Sequence, residues 1–267
     1  MENRLSYLEK LIKVILWPII FIVGHFFIEY VFVAYYNSKN KGDLSNSEFL
    51  KVVKTCDYQE GLNNFINSKL LLITIIFFLI FLPILCLAYK KYRRHKYIEG
   101  YGIESIALGI SIALIFNITL YNLNRIFNFT NRFGKMEIPF YVLLICTGIL
   151  GPILEEILFR GIVYNKLKTF NTNMAAIIIC SILFGIFHMD IINGIYGFGI
   201  SFILIYLYEK HNTLFAPILL HITANVTGLV IIKLGILSIL PISIALLIVS
   251  VLIIIFIRRI YIKGSVE

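Results

Sequence analysis

Charged residues are scarce in this chain. Asp, Glu, Lys and Arg make up only 15% of its 267 residues, whereas 59% are hydrophobic. With a mean hydropathy of +0.88, the chain lacks the polar surface that a soluble domain needs. Its hydrophobic runs also lack the alternating polarity of a membrane β-barrel. The sequence therefore predicts an all-α protein, a polytopic bundle of transmembrane helices.

Several other signatures are absent as well. The four cysteines form no CxxC pair and no HExxH motif occurs, so neither a disulfide framework nor a standard zinc site is indicated. No small-residue cleavage site follows the first hydrophobic run, which favours a retained span over a signal peptide. No internal repeat is visible, and this weighs against a secondary transporter.

Eight hydrophobic runs reach or approach the ~20 residues that cross a bilayer. They cover residues 11–36, 69–89, 103–123, 139–164, 173–190, 191–208, 213–232 and 236–257. Residues 37–68 form the only long polar segment, which we expect to be an external loop with a short amphipathic helix. The sequence thus divides into N-terminal helices (1–138), a core that carries the polar motifs (139–232), and a last span with a cytoplasmic tail (233–267).

The net charge of +9 follows the topology of the chain. If the N-terminus is cytoplasmic, fourteen Lys and Arg residues lie inside and nine outside, while Arg160 is buried in a span. This bias predicts a multi-pass protein of the cell membrane with both termini cytoplasmic. The basic residues form no aromatic-laced patch, so a lipid bilayer is the expected partner and nucleic acid is not.

The fourth run carries two adjacent acids, Glu155 and Glu156, followed by Arg160. A lipid-facing charge would cost at least ~2.5 to 3.5 kcal/mol per residue, so these groups must face the bundle interior. Residues four apart share a helix face, so Glu156 and Arg160 are expected to pair. Glu155, one step round the helix, remains free to accept a proton from water and return it to a leaving amine.

Two further runs carry polar residues at helical spacing: His188 lies four residues after Phe184, and Asn225 lies four residues after His221. Counted from the turn near residue 171, Glu155 and His188 lie at a similar depth, ~24 Å along straight helices. His221 is expected to be shallower by the same count. Pro152, which cannot donate a backbone hydrogen bond, is expected to kink the fourth span and to open a wet cavity there.

These residues resemble the CAAX-processing and bacteriocin-processing family of glutamate-type intramembrane endopeptidases. The resemblance rests on EExxxR at Glu155 to Arg160, FxxxH at Phe184 to His188 and HxxxN at His221 to Asn225, about 70 residues in all. It implies that Glu155 and His188 activate water on a membrane-associated peptide or protein substrate. It also implies that His221 and Asn225 stabilise the oxyanion, and that Glu156 and Arg160 support the site.

Other interpretations stay open at this point. Zinc held by Glu155, His188 and His221 is the alternative to metal-independent catalysis, which we favour. A non-catalytic immunity or scaffold protein that binds a peptide in the same cavity is the alternative to an enzyme. His25 and Glu29, four residues apart in the first run, are interpreted as packing or interfacial residues. The richness in Ile, Asn, Lys, Phe and Tyr suggests a bacterial chain.

Overall fold

The computed structural model describes residues 2–92, 101–127, 138–235 and 248, and none of them forms a strand. The described part of the chain folds into eight helices. They are α1 (Glu2–Lys41), α2 (Asn46–Val53), α3 (Cys56–Tyr89), α4 (Tyr101–Phe127), α5 (Phe140–Lys168), α6 (Asn173–Phe187), α7 (Ile191–His211) and α8 (Phe215–Leu234). The predicted all-α architecture is confirmed.

Six of these helices, α1, α3, α4, α5, α7 and α8, are long and apolar enough to cross a membrane. The protein is therefore a multi-pass membrane protein. The predicted span 173–190 is shorter than expected, because α6 has 15 residues and ends before His188. At 1.5 Å per residue it extends ~22 Å, less than the ~30 Å hydrocarbon thickness. The predicted last span, 236–257, lies outside the described residues apart from residue 248.

The polar segment 37–68, expected as a loop, is mostly helical. The helix of the first span continues to Lys41, and α3 begins at Cys56. Both membrane helices therefore continue beyond their apolar parts into the polar segment. The expected short helix is α2, which begins with a capping box: the Ser45 hydroxyl accepts from the Glu48 amide, and the Glu48 carboxylate accepts from the Ser45 amide. The hydroxyl of Tyr58 donates to Asn37 at 2.8 Å and ties the two extensions together.

The helix that carries the acidic motif is not a regular α-helix. Its segments 144–150 and 157–164 form wider π-helical turns on either side of Pro152. In the first of them the Gly151 amide donates to the Cys146 carbonyl, five residues back. Since Pro152 has no amide hydrogen, the regular hydrogen-bond ladder is interrupted there, and the wider turn re-pairs the backbone. The irregularity expected at this proline is therefore a widened helix.

Two helix pairs approach closely through glycines. On α4, a Cβ at Gly109 would lie 2.7 Å from the Leu220 carbonyl of α8. On α6, a Cβ at Gly185 would lie 2.8 Å from the Gly194 carbonyl of α7. Small residues at these crossings let the backbones meet without a side chain between them. Gly185 lies three residues before His188, and Leu220 directly precedes His221. The two crossings therefore fix the positions of both motif histidines.

We expect Gly109→Ala to destabilise the bundle by about 1–3 kcal/mol, because the new methyl group meets backbone that cannot move aside easily. Gly199→Ala is the matched control, since a Cβ at Gly199 has no neighbour within 4 Å. The free energy of unfolding of the two variants, measured in the same detergent, checks the prediction. Equal stability of the two would show that α4 and α8 are not held at this crossing.

Candidate active site

Arg160 is fully buried and is held by side chains of two helices. Its Nη1 donates to Glu156 Oε1 at 2.9 Å, and its Nη2 donates to the hydroxyl of Ser201 at 2.9 Å. The side chains of Arg160 and Glu156 are both 0% exposed. The pair expected from the four-residue spacing is therefore present, and Ser201 on α7 is a second partner that the motif does not reveal.

The same glutamate orients a histidine. Nδ1 of His221 lies 2.8 Å from Glu156 Oε1, while its Nε2 lies 3.9 Å from Glu155 Oε2. Because a carboxylate only accepts, Nδ1 carries the proton and Nε2 faces Glu155. The Glu155 oxygen Oε2 is buried and has no hydrogen-bond partner among the described residues. Glu156 and Arg160 thus hold His221 in position, and Glu155 keeps an oxygen available.

The ring of Phe184 lies between the three motifs. The Arg160 guanidinium sits over its face, with Cζ 4.3 Å from the ring centroid. The rings of His188 and His221 pack edge-on against it, with centroids 5.0 and 5.9 Å away. An aromatic face attracts a cation and its edge suits other rings. Phe184 is fully buried, and Arg160 and both histidines pack around its ring.

His188 caps the end of α6. The helix tightens in its last turn, where the His188 amide donates to Gly185, so the Phe184 carbonyl accepts from His188 Nδ1 at 2.8 Å instead. The Nε2 of a neutral ring is then left as an acceptor. A Cβ at Gly197 would lie 3.0 Å from the imidazole, so a larger residue there would crowd the ring. The next residue, Met189, has a φ of 50°, a strained conformation of the kind that occurs at functional sites.

Asn225 lies one turn beyond His221. Its Nδ2 donates to the Thr147 carbonyl at 2.9 Å, in the first π-helical turn of α5. A primary amide has two N–H donors, so this bond fixes the amide plane and leaves one donor for another acceptor. The sequence pattern identifies Asn225 but not Thr147. The Thr147 carbonyl lies in the widened part of the helix, where it accepts this side-chain hydrogen bond.

The shallower position predicted for His221 is wrong. The prediction assumed that α6 and α8 begin at the same level, but Leu214 packs beside Gly161, with 3.4 Å between its Cδ1 and the position of a Cβ at that glycine. The connection before α8 therefore lies deeper than the one before α6. Since His221 follows Leu214 by seven residues and Glu155 precedes Gly161 by six, the two side chains reach the same depth.

A cavity of about 360 Å³ opens beside Glu155. Its wall comes from α1, α3, the widened part of α5 and the end of α6. The lining residues with polar side chains are His25, Thr74, Thr147 and Glu155, and most of the remaining wall is apolar. The cavity expected next to Pro152 is thus present, and it connects Glu155 with the N-terminal helices.

Glu155, His188 and His221, the set considered for zinc, do not form a metal-ligand cluster here. In the described ranges no group of three His, Cys, Asp or Glu side chains is arranged to hold a metal ion. The Nδ1 atoms of both histidines are occupied by Phe184 and Glu156, which leaves each Nε2 as the only nitrogen for a ligand or a proton.

Sequence reasoning missed three residues of this region. Ser201 accepts from Arg160, and Thr147 accepts from Asn225. In the sequence, each is only a single polar residue within an apolar run. His25 packs against Phe77, as interpreted, but it also lines the cavity beside Glu155, which the sequence did not indicate. All three lie outside the spacing of the motifs, so only the folded chain reveals them.

Comparison with known proteins confirms the family resemblance. Residues 137–227 match the family described as Type II CAAX prenyl endopeptidase Rce1-like. YdiL of Bacillus subtilis (strain 168), which carries the name of a predicted membrane peptidase, is 34% identical over 84 residues, or 32% of this chain and 34% of YdiL. The alignment thus spans about a third of that relative. No solved structure shows a significant match.

Proposed function

The chain belongs, through residues 137–227, to the CAAX-processing and bacteriocin-processing family with its Rce1-like endopeptidases, and we propose that it is an intramembrane endopeptidase. Its substrate is a membrane-associated peptide or protein, cleaved by water that Glu155 and His188 activate. The observation that carries the proposal is the buried Oε2 of Glu155, which has no partner among the described residues and lies 3.9 Å from His221.

The hydrogen bonds support a division of labour. His188 Nε2 and Glu155 accept hydrogen bonds from the attacking water. Glu155 removes one proton from this water as the water oxygen bonds to the scissile carbonyl carbon. The carbonyl oxygen becomes an oxyanion. His221 Nε2–H and the second N–H of Asn225 donate to it. As the C–N bond breaks, Glu155 returns the proton to the amine that leaves.

For His221 to donate through Nε2, its ring must carry two protons. Glu156 accepts from Nδ1 at 2.8 Å and so stabilises such an imidazolium. With both glutamates ionised, the formal charges of Glu155, Glu156, Arg160 and His221 then sum to zero, which suits a buried site. Glu156 and Arg160 are positioning residues in this scheme, and the catalytic core is residues 139–232. The cell membrane is the proposed location, with both termini cytoplasmic.

The proposal is tested by mass spectrometry of the peptides released from membranes of a strain that contains the chain and of the same strain without its gene. We expect products that require the chain and persist in the presence of a chelator. Products lost with the chelator would overturn the metal-independent scheme and keep the peptidase. If no product required the chain, the peptidase would be rejected in favour of an immunity or scaffold protein that binds a peptide in the cavity.

A further inference from the structure

A third histidine, His25, faces the cavity beside Glu155. It lies on α1, outside the segment that matches the family. Its ring packs edge-on against Phe77 of α3, with ring centroids 5.2 Å apart. Among the residues that the structure describes, none forms a hydrogen bond with the imidazole. His25 therefore presents free ring nitrogens in the same space as the proposed general base.

The position of His25 is fixed by tight packing next to it. A Cβ at the preceding residue, Gly24, would collide with the Phe81 ring of α3. Phe77 and Phe81 stack on each other, with centroids 4.4 Å apart, and Phe21 packs edge-on against both. This aromatic cluster holds α1 against α3, so the imidazole is held in the cavity wall.

The wall has the chemistry of a binding site for an extended apolar peptide. Its volume of about 360 Å³ falls within the ~300–1,000 Å³ range of ligand pockets. Phe21, Phe26, Phe77 and Phe187 supply apolar surface for bulky side chains. A peptide that is unwound for cleavage also exposes backbone N–H and C=O groups, and at membrane depth these need partners from the protein.

Few groups in this wall are able to be such partners. The Thr147 hydroxyl donates to the Leu143 carbonyl, and Glu155 is engaged in catalysis. The Thr74 hydroxyl of α3 pairs with the Cys146 thiol. His25 is the other polar residue that the N-terminal half contributes to this wall, and its ring has both a donor and an acceptor. Building on the proposed peptidase, we infer that the cavity receives the bulky apolar side chains of the substrate next to the scissile bond, and that His25 is a substrate-binding residue that hydrogen-bonds the substrate backbone.

The experiment compares the steady-state kinetics of His25→Phe, His25→Gln and the wild-type chain in detergent. The probes are two quenched fluorescent peptides that span the cleavage site identified from the products of wild-type membranes, one with Phe and one with Ala beside the scissile bond. Tyr30→Phe is the matched control, because it also removes a polar atom from an aromatic side chain of α1 but lies 65% exposed and away from the cavity.

We expect His25→Phe to raise KM about tenfold with little change in kcat, as loss of one hydrogen bond predicts. His25→Gln, which keeps a donor and an acceptor, should recover most of the affinity, and the Phe peptide should be preferred over the Ala peptide. An unchanged KM, or a fall in kcat alone, would overturn the inference and leave the peptidase intact. If His25→Phe does not fold, His25→Ala carries the same comparison; if the wild type cleaves nothing, both proposals fall.

Discussion

Membranes that carry Glu155→Gln should release none of the peptides that require the chain. Glutamine has the shape of glutamate, but its amide neither accepts a proton from water nor returns one to a leaving amine. General acid–base catalysis contributes ~10² to 10⁴-fold, and Glu155 serves both steps, so we expect a loss of at least about 10³-fold. The measurement is the rate of product release, by mass spectrometry, from membranes with equal amounts of each protein.

Glu209→Gln is the matched control for this substitution. Glu209 is also a glutamate within a membrane-spanning helix, but it pairs with Lys168 near the surface and does not line the cavity. It should leave product release unchanged. Wild-type rates from Glu155→Gln would contradict the proposed general base directly. If a binding function survived in Glu155→Gln and the wild type released no product, an immunity or scaffold protein would be favoured.

The architecture was predictable from the sequence because apolar length alone determines which segments cross a bilayer. What hydropathy cannot mark is where a membrane helix ends in water. The polar residues up to Lys41 and from Cys56 continue α1 and α3, since capping and helix propensity, not apolarity, set those ends. The shortness of α6 has the same origin. His188 has apolar neighbours in the sequence, but in the fold it caps the end of the helix.

The site was predictable to the extent that it depends on spacing along one helix. The four-residue interval from Glu156 to Arg160 predicts their contact, and the observed distance is 2.9 Å. The position of His221 was not predictable in this way, since its depth depends on how Leu214 packs against Gly161. Contacts between helices, including those of Ser201, need the tertiary structure because no sequence interval encodes them.

Arg160→Met should destabilise the protein by about 3–5 kcal/mol, the usual cost of leaving one partner of a buried ion pair uncompensated. The substitution removes the bonds to Glu156 and Ser201 and the contact with the Phe184 ring. Lys168→Met is the matched control on the same helix. Lys168 pairs with Glu209 near the surface, with side chains 28% and 35% exposed, and such pairs contribute at most about 1 kcal/mol.

The free energy of unfolding in detergent gives this comparison, and equal losses for Arg160→Met and Lys168→Met would contradict the role of the buried pair.

A double variant, Glu156→Leu with Arg160→Met, separates structure from function. An apolar pair of similar volume often restores stability, so most of the loss should be recovered. Cleavage should remain lost, because His221 Nδ1 then has no carboxylate to orient it or to stabilise its second proton. Recovery of cleavage together with stability would show that Glu156 and Arg160 serve only the fold.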